Sequence, residues 1–349
     1  MFDSQRLPHL SRLRRVPYLA KTVFFAALSM FSKEHGITVL GVCFIAEVLN
    51  TYHTRNKEVC KKRNDCSMKS PINARKLYVS DCIKNLLCLT LSTITLIILR
   101  IYVMGGMKGT PTFASADNPA ASEKSFLTRA LTFAYLPCFN MVNLLIYPNN
   151  LSFDWSMEAV PLIDSICDTR NFVTLATISV IISFVYQVSK DINIHKNNLY
   201  LQNLNEDQNK KGLFKTVTNI PPATIMGLAI IILPFIPAMN IFFYVGFVVA
   251  ERVLYIPSMG YCIVVGSGLS QLWNNLICNP CTPNKSTWEK QKVKSECTNK
   301  ILRYALVILT CITLMTFGLR TIYRNGDWLN EETLYRSGVN INPPKGKNP

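Results

Sequence analysis

Glu251 and Arg252 stand side by side in "VAERVLYIPSMG" (249–260), directly after the uncharged stretch "NIFFYVGFV". A carboxylate beside a guanidinium in so apolar a run is either a structural ion pair or part of a polar site. Three other groups raise the same question. Lys33-Glu34-His35-Gly36 lies between two apolar runs and is either a solvated hairpin tip or a site. Asp154-Trp155 offers a carboxylate that can cap a helix and an aromatic that can anchor at a membrane interface. Asp117-Asn118-Pro119 reads most simply as an Asx turn. His35 has no companion ligand and is not assigned a catalytic or metal role. No spacing of a nucleophilic triad, a phosphate-cradling glycine loop or a metalloprotease helix occurs in the chain.

The elements that must position these groups are written in the apolar runs. Of 349 residues, 49% are hydrophobic and only 17% charged, against about 25% charged in soluble domains. Residues 83–105, 171–188, 222–249 and 301–319 are apolar over lengths near the ~20 residues that span a bilayer. The fold expected is therefore an all-α polytopic membrane protein. The net charge of +16 would suggest nucleic acid in a soluble protein. Here the bases fall in loops between apolar runs, and no nucleic-acid motif accompanies them. Residues 51–76 carry eight Lys and Arg, and 189–218 and 273–300 carry five each. By the positive-inside rule these three segments and the basic start, residues 1–16, face the cytosol.

Threading the chain under that rule places helices near 17–32, 36–50, 79–103, 170–188, 221–237, 256–273 and 300–319 within a membrane domain spanning 17–319. Segments 104–128, 148–169 and 238–255 then lie on the far side. Residues 130–147, interrupted by Pro137, are read as re-entrant or interfacial, and 238–255 as an interfacial helix. The far side collects all four polar groups. Asn150 opens an N-glycosylation sequon on that face. Cys278 and Cys281 form a lone C-x-x-C in a cytosolic segment, two ligands short of a zinc site. With neither internal repeats nor mid-helix charges, these features favour an enzyme acting on a lipid-linked substrate over a transporter.

Five segments in order carry a more specific signal: "ALSMFSKEHGITVLGVC", "PTFASADNPAA", "LTRALTFAYLPCFNMVNLLIYPNNLSFDWSMEAVPLI", "VGFVVAERVLYIPSMGYC" and "RTIYRNGDWLNEETLYRSGVNINPP". Together they resemble the transmembrane and tetratricopeptide-repeat protein O-mannosyltransferases, from about Leu19 to Pro344. The resemblance implies a GT-C glycosyltransferase-like helical bundle in the endoplasmic reticulum membrane. It implies transfer of mannose from dolichyl-phosphate mannose, as donor substrate, to Ser or Thr of luminal proteins, cadherin-type domains among them. Residues 320–349 would open the first luminal helical repeat. Family members carry an earlier helix and an acidic first luminal loop, and they continue into a repeat array. On that comparison the chain reads as a fragment whose general base lies elsewhere, so no catalytic residue is assigned, and it is expected to be inactive alone.

Within the resemblance, Arg252 is the candidate for the lipid phosphate, because a guanidinium fork matches phosphate oxygens. Glu251 would orient it. Lys33 and Glu34 are candidates for the sugar phosphate or for positioning, Tyr255 for stacking on the sugar, and Asp154 and Trp155 for shaping acceptor entry. No metal ligand set is visible, and no metal or other cofactor is assigned. A non-enzymatic membrane scaffold and a transporter are the alternative functions.

Overall fold

A computed structural model describes residues 8–64, 72–105, 114–146, 148, 151–156, 159–204, 220–240, 244–277 and 288–341. Asn150, Cys278 and Cys281 lie outside them. Among the described residues there is no strand. Ten α-helices follow in order: α1 (Pro8–Ser32), α2 (Thr38–Asn64), α3 (Ile72–Val103), α4 (Pro119–Ser122), α5 (Phe126–Phe139), α6 (Arg170–Leu204), α7 (Pro222–Phe235), α8 (Tyr255–Ile277), α9 (Trp288–Asp327) and α10 (Glu331–Ile341). The chain is an all-α membrane protein. Three of its helical stretches, Ser80–Val103, Glu251–Asn275 and Lys300–Asp327, are long and apolar enough to cross a bilayer. Their outward faces are apolar, as Leu91 on α3 and Met315 on α9 show, and lipid suits such a surface where water does not.

The chain divides into two compact units. The first contains residues 1–113, 225–244 and 255–260. Here α1 and α2 form a hairpin against α3, with Ala26, Met30, Leu40, Leu89 and Leu96 buried between them. The hairpin turns through a 3-10 element, Glu34–Ile37. It needs a glycine at its tip: a Cβ on Gly36 would lie 2.6 Å from the Ser29 carbonyl oxygen. The Asn85 amide donates to Glu47 Oε1 at 2.8 Å and ties α3 to α2. Glu47 is thus a charge inside a helical interface, where the sequence reading expected none. Residues Gly227 and Gly260 let the backbones of α7 and α8 approach, for a Cβ on Gly260 would stand 2.8 Å from the Ile231 amide nitrogen and closer to the Gly227 carbonyl oxygen. Small residues at such crossings are the usual solution where lipid supplies no hydrophobic drive.

The second unit contains residues 114–224, 245–254 and 261–349. Its centre is α5, whose buried Thr132 hydroxyl donates to the Thr128 carbonyl at 2.7 Å and accepts the Ile163 N–H at 3.0 Å. This fastens the extended chain 159–165 to the helix. At the end of that chain Arg170 donates to the Leu162 carbonyl at 2.9 Å and to the Asp168 carboxylate at 2.6 Å. The guanidinium also sits 5.8 Å from the Tyr135 ring centre.

Two sequence expectations are corrected here. Pro137 does not interrupt its segment; the helix passes through it and widens into a π turn over Asn140–Ile146. A proline removes one intrahelical donor, the one that would face the Phe133 carbonyl a turn earlier, and the helix nevertheless continues past it. At the start of the π turn the Asn140 side chain donates to the Leu136 carbonyl at 2.8 Å. Nor do residues 238–255 form an interfacial helix. Asn240 takes a left-handed φ of 56°, residues 244–250 are non-helical, and a 3-10 turn begins only at Glu251. Asn118 accounts for much of this, since its side-chain amide donates to the carbonyls of Val245 (2.9 Å) and Phe247 (3.4 Å). Those carbonyls are satisfied from outside the segment, so no helix is needed to satisfy them.

Candidate functional site

The 3-10 turn Glu251–Leu254 leaves Glu251 half-buried in the second unit and Arg252 exposed. Glu251 Oε1 accepts two hydrogen bonds from one remote segment: the Ser152 backbone N–H at 2.5 Å and the Trp155 indole N–H at 3.0 Å. Ser152 and Trp155 are both buried. Trp155 meets Phe139 edge-to-face, with ring centres 5.3 Å apart. Arg324 lies near the end of α9 in the same unit. It donates to Asp327 at 2.8 Å and to the Ser337 hydroxyl at 3.2 Å.

Glu251 therefore closes on the segment 151–156, and its bound partners are Ser152 and Trp155. The expected Glu251–Arg252 tie does not form, because consecutive side chains on a helical turn point away from one another. Arg252 is left facing outward. Tyr255, at the start of α8, is 69% exposed. Asp154 is engaged locally: its carboxylate accepts from the Ser156 N–H at 3.0 Å and the Ser156 hydroxyl at 2.6 Å. That is a capping geometry, and it holds the segment's shape.

In the first unit, Glu34 forms an ion pair with Arg100 of α3. Its carboxyl is held below the usual carboxylate range, first by its own backbone N–H and further by Arg100. Lys33 is exposed at the same tip. The structure thus brings Glu251 and Trp155 together directly, and Asp154 and Arg252 flank them along the chain. Lys33 and Glu34 belong to the other unit.

Sequence reading missed three residues of this architecture. Asn118 was passed over as a turn residue; its place before a proline, at the N-cap of α4, was the available signal. Its carbonyl oxygen accepts the Ala121 N–H at 3.1 Å. Arg170 and Arg324 carried no local signal beyond an acidic residue two or three positions away. Among the described residues no group of three or more His, Cys, Asp or Glu could hold a metal ion.

The family model for "Protein O-mannosyl-transferase TMTC, DUF1736" matches residues 107–182, the stretch that contains α4, α5, Ser152 and Trp155. The chain is similar to the TMTC protein O-mannosyl-transferases. It is 35% identical over 92% of its length to Protein O-mannosyl-transferase TMTC2 of Homo sapiens. It is 32% identical over 94% of its length to Tmtc1 of Drosophila melanogaster, and 33% identical over 93% to TMTC3 of Mus musculus. It spans only 38%, 39% and 30% of those three relatives. No solved structure matches. Similarity to the TMTC proteins extends well beyond the residues that the family model matches, because it covers nine-tenths of the chain.

Proposed function

We propose that the protein takes part in O-mannosylation, with dolichyl-phosphate mannose as donor and Ser or Thr of luminal proteins as acceptor, in the endoplasmic reticulum membrane. The observation that carries this reading is the similarity to proteins named protein O-mannosyl-transferases across nine-tenths of the chain. The transfer breaks the bond between the anomeric carbon and the lipid phosphate oxygen. It forms a bond from that carbon to the acceptor hydroxyl oxygen, whose proton passes to a carboxylate base that we do not assign to a residue of this chain. Charge builds on the departing phosphate and needs a cation near it.

Arg252 suits that task. It is exposed, sits one residue from a carboxylate already engaged elsewhere, and stands at the start of an apolar helix long enough to span a bilayer. Tyr255 presents an open ring one turn along, a surface on which a sugar can stack. Asp154 and Trp155 shape the segment beside the turn, and cadherin-type domains are the acceptors proposed. In the first unit, Lys33 and Glu34 are further candidates for sugar-phosphate binding or positioning, with Glu34 paired to Arg100.

The test is mannose transfer from labelled dolichyl-phosphate mannose to a cadherin-type acceptor, in microsomes carrying full-length protein. Arg252→Ala should lower turnover at least about tenfold, the order expected for removing one group that stabilises charge in the transition state. Arg252→Lys should recover part of it. Unchanged transfer by Arg252→Ala would remove the phosphate assignment. Absence of transfer by the unsubstituted protein would favour a non-enzymatic scaffold.

A further inference from the structure

The segment 151–156 is held from two sides. Glu251 takes the Ser152 N–H and the Trp155 indole N–H. Between those two residues, Phe153 points to a different partner: its ring meets Tyr335 of α10 edge-to-face, centres 5.0 Å apart and planes at 86°. One turn further along α10, Gly338 is buried against the same ring. A Cβ on Gly338 would stand 2.8 Å from Phe153 Cδ1 and closer still to Cε1. Positions 335 and 338 share one helix face, so the ring seats over a notch that only glycine leaves open.

α10 itself is fixed to the end of α9. Asn330 caps it, accepting the Thr333 N–H at 2.9 Å. The Thr333 hydroxyl donates to the Asp327 carbonyl at 3.1 Å, and Arg324 bridges Asp327 and Ser337. The α9–α10 corner therefore reaches the segment that Glu251 holds through the Phe153 ring.

We propose that Phe153 and Gly338 are positioning residues for the Glu251–Arg252 turn. Docking of α10 on the Phe153 ring holds residues 151–156 in the register on which Glu251 closes, and Arg252 is aimed by that closure. A displacement of α10 moves Phe153, withdraws Ser152 or Trp155 from the carboxylate, and swings the neighbouring guanidinium. Neither residue touches substrate in this account; both act through the segment. The part concerning turnover rests on the function proposed above, whereas the docking itself does not.

The experiment uses the full-length protein in native membranes, with Gly338→Val and Gly338→Ala to crowd the ring and Tyr335→Leu to remove its edge contact without adding bulk. Val339→Ala, at a neighbouring position that is 65% exposed, is the control. Hydrogen exchange of the amides of 151–156 is read beside kcat and KM for the donor. Gly338→Val and Tyr335→Leu should each speed exchange of those amides about tenfold or more, leaving the Ile163 amide protected. In both, kcat should fall about tenfold, because small misplacements of an aligned group cost that much or more, with donor KM within about twofold of the parent. Val339→Ala should change neither quantity. Unaltered exchange at 151–156 in both variants would overturn the proposal. So would loss of protection at Ile163 in every substituted protein, Gly338→Ala included, since the glycine would then serve folding alone. If the unsubstituted protein transfers no mannose, the proposed function falls while the exchange data still decide the docking.

Discussion

Glu251 illustrates how little of a side chain's role follows from its neighbours in sequence. Its oxygen satisfies two buried N–H donors at once, and removing it leaves both without an acceptor. Glu251→Ala should therefore lower stability by about 2–4 kcal/mol, since each stranded buried donor costs about 1–3. Glu251→Gln keeps an acceptor oxygen and should lose much less. Thermal unfolding in detergent separates the two. His35 gives a pH dependence of defined sign. Burial first, then the Lys33 charge, lower its pKa below the ordinary histidine value, against a smaller opposing effect of Glu34. Both ring nitrogens are buried without a hydrogen-bond partner. The folded state thus binds fewer protons than the unfolded one, so stability is present above about pH 6.5 and is lost as pH falls below it. Unfolding midpoints measured from pH 7.5 to 5.5 should fall, and His35→Gln should flatten that slope. In the sequence Glu251 stands out as a charge in an apolar run, and Trp155 as an aromatic beside a carboxylate. That they bond to one another across 96 positions is tertiary information, which no local pattern holds.

At the scale of elements, apolar run length placed most helices, and the departures have local causes. The proline at 137 reads as a break because an interior proline usually is one; here the helix runs through it into a π turn that opens at Asn140. The stretch 238–255 looked helical by its apolar length, yet periodicity cannot distinguish a buried irregular segment from a buried helix. Its carbonyls answer to Asn118, more than a hundred residues away. Glycines are legible only as permissive positions. The structure shows which are obligatory, and Gly260 is one. Gly260→Val would push the α7 and α8 backbones apart and should destabilise the protein by about 1–3 kcal/mol, the usual cost of overpacking. Gly266, with nothing within 4 Å of an added Cβ, should accept alanine without loss, and denaturation of the two variants in parallel checks the contrast.

For the whole molecule, the exposed apolar faces of α3 and α9 and the basic segments at 51–76, 189–218 and 273–300 bear on how the chain lies in a bilayer. The threading predicts that 148–169 faces the lumen. A version retaining only the exposed Cys167 should react with a membrane-impermeant maleimide in intact microsomes only after the vesicles are opened. Labelling of sealed vesicles would reverse the orientation. The class of fold was legible because lipid imposes long apolar runs on any chain that crosses it. The site was legible only as a set of suspects, because charge and aromaticity mark a position without naming its partner. The Phe153–Gly338 seat has a consequence for descent. A bulkier residue at 338 can be tolerated only if the ring at 153 shrinks, so the two positions should drift as a pair among homologous chains, with small-for-large exchanges at one mirrored at the other. A collection of sequences in which 338 enlarges freely while 153 stays aromatic would show that the seat is a feature of this chain alone.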